Sequence, residues 1–246
     1  MKPVGEKRTY RSLTARDGLV GFQVRHRETD LHIQAESDLE DEVSKWVIEI
    51  RLSIEDYARS HPGFLESYVP LPDDPFAPSV VRDMIESSAA AGVGPMAAVA
   101  GAIAQHIGKR CMELSAGEIV VENGGDIFLR VFKPVTSAVW AGTSPLSGRV
   151  GVAITPGLTP LGICTSSGTV GHSKSFGKAD AVTVVSQSVA LADATATSVG
   201  NMVRTERDID RGIKALKQIP GILGGLIIKG TKLGAWGQIE LVPLNL

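Results

Sequence analysis

Two carboxylates and a short run of hydroxyls carry most of the chemistry this chain can offer. Asp193 lies in Ala190-Leu-Ala-Asp-Ala-Thr-Ala-Thr197, among small residues, with Thr197 four positions on. On a helix that spacing sets the two oxygens one turn apart on one face. A carboxylate on a buried, alanine-rich face is costly unless it is partnered. Two partners stand open: a hard cation held through oxygen, Mg²⁺ or Ca²⁺, or the backbone N–H groups of a neighbouring segment. The other carboxylate, Asp126, closes Asn123-Gly124-Gly125-Asp126. Adjacent glycines accept the positive φ angles of a tight hairpin turn. They also bare N–H groups to an anion or a carbonyl, so a plain hairpin and a ligand loop both fit.

The hydroxyls sit in Thr165-Ser166-Ser167-Gly168-Thr169, a turn able to hold a phosphate or a ring carbonyl. His172 follows, beside Ser173 and Lys174. It is either an exposed loop residue or a general base or anion partner. His106, inside an apolar segment, reads first as a packed or hydrogen-bonded histidine. There is no Walker loop, HExxH, GxGxxG or Ser-His-Asp order. The usual NTPase, metalloprotease, dinucleotide and hydrolase assignments thereby lose their main support.

These residues need elements to position them. Apolar runs at 119–121 and 127–131 flank the Asn-Gly-Gly-Asp turn as hairpin strands, and 161–168 reads as a strand entering the hydroxyl-rich turn. Residues 181–186 have the continuous apolar character of a strand buried on both faces. Ser186 or Ser188 then caps the helix that bears Asp193. Upstream, 19–27 and 30–36 alternate as a hairpin about Glu28-Thr29-Asp30. Ser37 and Glu40 have capping-box spacing, ahead of Leu39, Val43, Trp46, Val47, Ile50, Ile54 and Tyr57 at helical intervals. A proline-rich loop over 62–78 precedes helices at 79–91 and 96–112, broken at Gly92–Pro95. Strands are expected at 136–142 and 148–154, a charged helix at 208–217, and a closing hairpin of 221–229 with 234–244. That order is α+β and not a βαβ alternation. It fits one domain over 1–246 whose halves each join β runs to long helices, as a duplicated unit would, although no sequence repeat marks it.

Composition narrows the class. With 246 residues the chain can bury a large core. A formal net charge of -2 without a basic stripe argues against nucleic acid as partner. Cys111 and Cys164, far apart and outside any CxxC, read as buried thiols of a reducing compartment. The first ten residues lack the apolar stretch of a secretory signal. Two uncharged tracts, 87–108 and 150–173, are as long as a bilayer span. Pro95 and the alanines of the first, and Pro156 and Pro160 in the second, point instead to elements of a water-soluble fold. The expectation is a cytoplasmic protein without a membrane partner, by default a homodimer.

Asn123-Gly-Gly-Asp-Ile127, Thr165-Ser-Ser-Gly168, Ala181-Val-Thr-Val-Val185 and Ala192-Asp-Ala-Thr-Ala-Thr197, in that order, resemble the motif series of the ApbE superfamily. The resemblance runs from about Gly92 to Gly200 and implies a T-fold-like duplicated α+β architecture. Characterised members are Mg²⁺-dependent FAD:protein FMN transferases. Carried over by position, the family's metal residues fall on Asp193 and Thr197. Its flavin-nucleotide loops fall on Asn123, Gly124, Gly125 and Asp126 and on Ser166, Ser167, Gly168 and Thr169. Two departures stand out. Ala100 occupies the position of the lysine in the family's A-K-G motif, and Gly171-His172-Ser173 alone stands for its longer H-I-I-D-P-type segment. The implied activity is Mg²⁺-dependent flavin transfer to an acceptor protein, or cleavage of the FAD phosphoanhydride, with Asp193 at the metal and His172 as proton carrier. A non-catalytic flavin- or nucleotide-binding module and a structural homo-oligomer are the alternatives.

Overall fold

The computed structural model describes residues 18–168 and 177–245. The alternating segment near its start forms the hairpin β1 (Val20–His26) and β2 (Thr29–Ala35), turning at Arg27 with φ 53°. Helix α1 (Glu40–Ser60) buries Val43, Val47, Ile50 and Ile54, the stripe its spacing predicts. The expected capping box is not made. The helix begins at Glu40, too late for Ser37 to cap it, and Asp38 Oδ1 accepts the Glu40 N–H at 3.0 Å. Glu40, Asp41 and Glu42 crowd the first turn, where the helix dipole favours acids.

Two helices follow the proline-rich loop: α2 (Ser79–Ala91) and α3 (Val99–Leu114), joined by a 3₁₀ turn at Pro95–Ala98. Gly92 ends α2 in the left-handed conformation (φ 72°), the helix-stopping role glycine fills best. The axis bends by 104° there, so the uncharged tract is two packed pieces. Among the described residues no single helix is long and apolar enough to cross a membrane.

Next come β3 (Ile119–Asn123), β4 (Asp126–Arg130), β5 (Val135–Ala138), β6 (Val150–Ile154), β7 (Leu161–Ser166) and β8 (Ala181–Ser186). The chain then forms α4 (Val189–Met202), α5 (Ile209–Gln218), β9 (Ile222–Lys229), β10 (Lys232–Gly237) and β11 (Glu240–Pro243). Eight strands make one antiparallel sheet in the order β1-β2-β3-β4-β7-β8-β9-β10. Each set of four encloses its own helices: α1, α2 and α3 lie between β2 and β3, and α4 and α5 between β8 and β9. The overall class is α+β, as expected.

A small sheet, β11-β6-β5, covers the face opposite the helices. The central strands therefore alternate between two apolar layers. Val182, Val184 and Ile227 join the helices, while Ala181, Val185, Leu226 and Ile228 join the small sheet. This is why β8 is buried at every position. The last expected strand, 234–244, divides in two. Gly237 takes φ 97°, and the chain leaves β10 there so that β11 can pair with β6.

Candidate functional site

The site is assembled by helix α4 lying close along β7. Ser188 caps α4 by accepting the Leu191 N–H at 3.2 Å, and Ser186 Oγ accepts the Ser188 N–H at 3.1 Å. Gly162 lets the helix approach, since a Cβ there would stand 2.7 Å from Val189 Cα. The Cys164 thiol donates to the Val189 carbonyl at 3.4 Å. One turn farther along α4, Asp193 lies close enough to influence that same thiol electrostatically. At Gly200 the helix passes Ser166, whose Oγ would be 3.7 Å from an added Cβ. Thr197 is half-buried on the stretch between.

Asp193 Oδ2 accepts the Gly101 N–H at 2.9 Å, and the Ala100 backbone N–H also favours its ionised form. Gly101 is the third residue of α3, where the helix has no acceptor of its own to offer. Asp193 thus caps α3 from another helix. Backbone N–H groups, one of the two partners open to this carboxylate in the sequence, reach it. Asp193 is half-buried, as Thr197 is, and the amides do not offset its desolvation: burial pushes the carboxyl up to about 7, with the Gly101 and Ala100 amides pulling the other way. Among the described residues no lysine or arginine contributes to holding it ionised.

The Asn-Gly-Gly-Asp turn meets the same point. Gly124 and Gly125 have φ of 71° and 108°, the paired positive values of a tight hairpin. Asn123 Nδ2 donates to the Ala100 carbonyl at 3.1 Å, so Ala100 and its neighbour Gly101 join hairpin to helix. Asp126 lies opposite Cys164 across β4 and β7. The buried thiol stands between two carboxylates; burial raises it far above the ordinary thiol range, and Asp126 and Asp193 raise it further. Glu122 Oε1 accepts the Gly125 N–H at 2.9 Å, and the Gly125 carbonyl accepts the Thr165 N–H at 3.2 Å. The hydroxyl-rich turn is therefore stitched to the hairpin.

Ser166 ends β7, and Gly168 donates its N–H to the Ala179 carbonyl at 2.9 Å. Gly177 rests on the last turn of α4, where a Cβ would fall 1.7 Å from the Gly200 carbonyl. Both stems of the β7–β8 connection thus reach the end of the helix that carries Thr197. Thr169 and His172 lie outside the described residues. Away from this place, His106 Nε2 is 3.0 Å from Asp83 Oδ2, a hydrogen-bonded histidine. Both cysteines are free and buried.

Sequence reasoning overlooked Glu122, Cys164 and the Ala100–Gly101 backbone as parts of the site. Only Gly101, a glycine inside a helix, could have pointed there, because it marks a close approach. A Cβ on it would stand 2.5 Å from the Val189 carbonyl and 2.8 Å from Asp193 Cβ. Among the described residues no group of three or more His, Cys, Asp or Glu forms a metal cage. A cation bound by Asp193 would draw its other ligands from hydroxyls, carbonyls and the bound molecule, an oxygen set suited to Mg²⁺.

The profile of the family described as AbpE bacteria matches residues 11–218. A UPF0280 protein of Methanococcus aeolicus is 39% identical over 217 residues, which cover 86% of this chain and 88% of the relative. One of Methanocaldococcus jannaschii is 43% identical over 205 residues, covering 81% and 83%. The flavinyl transferase ApbE of Pseudomonas stutzeri, in its apo form, superposes with a TM-score of 0.57 at 13% identity over 91% of this chain and 96% of that one. The flavin transferase ApbE of Vibrio cholerae gives 0.56 at 14%, covering 89% and 96%. These structures share the fold. With the profile and the relatives matching over most of their length, the chain belongs to the AbpE bacteria family, within the ApbE-like superfamily.

Proposed function

We propose that this protein binds a flavin nucleotide beside the Asn123–Asp126 turn and α4, together with Mg²⁺, and acts on the phosphoanhydride of FAD. The observation that carries this reading is the meeting of three distant segments at one point. Asn123 holds Ala100, the adjoining amides hold Asp193, and Asp193 is a half-buried, poorly solvated carboxylate whose amide donors leave its charge unbalanced. A divalent cation is the partner that would balance it, and Asp193 with Thr197 would hold that cation. Bound there, Mg²⁺ supplies a positive charge to offset the charge developing on the phosphates.

The chain's own groups have separable tasks. Asn123 and the Ala100–Gly101 backbone orient Asp193. Asp126, Ser166, Ser167 and Gly168, with Gly124 and Gly125, bound the space for the nucleotide. Thr169 and His172 fall between Gly168 and Gly177 in the sequence, and His172 is the proton carrier in this reading. The proteins of the same fold from Pseudomonas stutzeri and Vibrio cholerae are named flavin transferases, and on that analogy an acceptor protein is the second substrate we propose. Incubating the full chain with FAD and Mg²⁺ and separating the products by chromatography tests this. With no acceptor added, water takes the FMN phosphoryl as AMP leaves, so FMN and AMP should accumulate in equal amounts with the wild type and not with Asp193→Ala; intact FAD in both would remove the activity.

Ala100 favours a second reading, a binding module without transfer chemistry. It stands where the family's lysine is expected, and its carbonyl is engaged by Asn123. In that case FAD raises the melting temperature without Mg²⁺, and the effect survives Asp193→Ala.

A further inference from the structure

Helices α3 and α4 cap one another. Gly101, third in α3, gives its N–H to Asp193 on α4 at 2.9 Å. Val189, first in α4, gives its N–H to Gln105 Oε1 on α3 at 2.8 Å. Neither N–H has an acceptor within its own helix. Gln105 is four residues beyond Gly101, and Val189 four before Asp193, so two hydrogen bonds tie the helix pair one turn apart. A turn rises about 5.4 Å, and hydrogen bonds weaken steeply beyond about 3.2 Å. Sliding α4 along α3 by much less than a turn would break both.

We propose that Gln105 is a positioning residue for the candidate site. It sets the lengthwise register of α4 on α3 and so keeps the Asp193 carboxylate on the Gly101 amide; as a statement about the cation site it rests on the function proposed above. Gln105 is 4% exposed and is itself held, because its Nε2 donates to Asp83 Oδ2 at 2.8 Å. His106 Nε2 meets the same oxygen at 3.0 Å. The position demands an amide. The side chain must accept from Val189 and donate to Asp83 at once. A carboxylate could not donate and would face Asp83, and leucine could do neither.

The test is amide hydrogen exchange by NMR on the ¹⁵N-labelled full chain, alongside a Mg²⁺ titration. Gly101 is the reporter, since its amide has no intrahelical acceptor and owes its protection to Asp193. In Gln105→Leu the Gly101 amide should exchange about tenfold faster, the scale of a lost hydrogen bond to a charged group, while Ile163 and Val184 in the sheet keep wild-type rates. The reciprocal pair Asp83→Asn with Gln105→Glu should restore Gly101, because the new amide at 83 can donate to the new carboxylate at 105. Gln105→Glu alone should not, and it serves if the leucine variant fails to fold. Unchanged Gly101 exchange would overturn the proposal, as would equal acceleration of Gly101 and the sheet amides. Mg²⁺ affinity should fall with Gly101 protection. If the wild type binds no Mg²⁺ while Gly101 still responds, the cation site is wrong and the positioning role stands.

Discussion

At the scale of single residues, Asp193 decides the behaviour. An unfolded aspartate titrates near 3.8, whereas desolvation holds this one to about 7. Between those values the native state carries a proton that the unfolded state has lost. The contribution to stability is therefore complete below about 3.8 and disappears as pH rises through about 7. Thermal unfolding across that window should show Asp193→Asn losing less stability than the wild type on going from pH 5 to pH 8. Parallel curves would contradict the desolvation. A cation needs the ionised carboxylate, so Mg²⁺ should raise the melting temperature more at pH 8 than at pH 5, and not at all in the asparagine variant.

At the scale of elements, the glycines set how closely the parts approach. Alanine at 101 would press its Cβ to 2.5 Å from the Val189 carbonyl, which is backbone and cannot swing away. Gly101→Ala should cost about 1–3 kcal/mol by overpacking, read from urea denaturation, and should also weaken Mg²⁺ binding. Wild-type stability would mean that α3 and α4 are not in register here. The elements also show what a sequence makes legible. The Asn123–Asp126 hairpin could be read because positive φ selects glycine, and α4 because serine, alanine and spacing agree. The capping box failed because Ser37 and Glu40 have the right spacing but the helix starts at Glu40. The division of 234–244 was hidden because Gly237 reads equally as a weak strand residue and as a corner. Gly101 marked a close approach on α3, but nothing in the sequence tied it to Asp193, because a backbone amide that donates leaves no mark in the residue type.

At the scale of the molecule, the two four-strand units are bonded into one sheet through β4 and β7. They also share a single helix-side layer, in which Val121 and Phe128 from the first unit join Val182 and Val184 from the second. One cooperative transition, with far- and near-ultraviolet dichroism superimposed, is expected from such a shared core; two separated transitions would show the halves to be independent. The candidate site depends on this union, because Asn123 belongs to one unit and Asp193 to the other. Isothermal titration of the full chain with FAD, with and without Mg²⁺, therefore examines fold and chemistry together. Saturable binding that tightens with Mg²⁺ in the wild type, and loses that gain in Asp193→Ala, is the predicted result. Heat signals absent from the wild type, or equal in both proteins whatever the Mg²⁺ concentration, would contradict it.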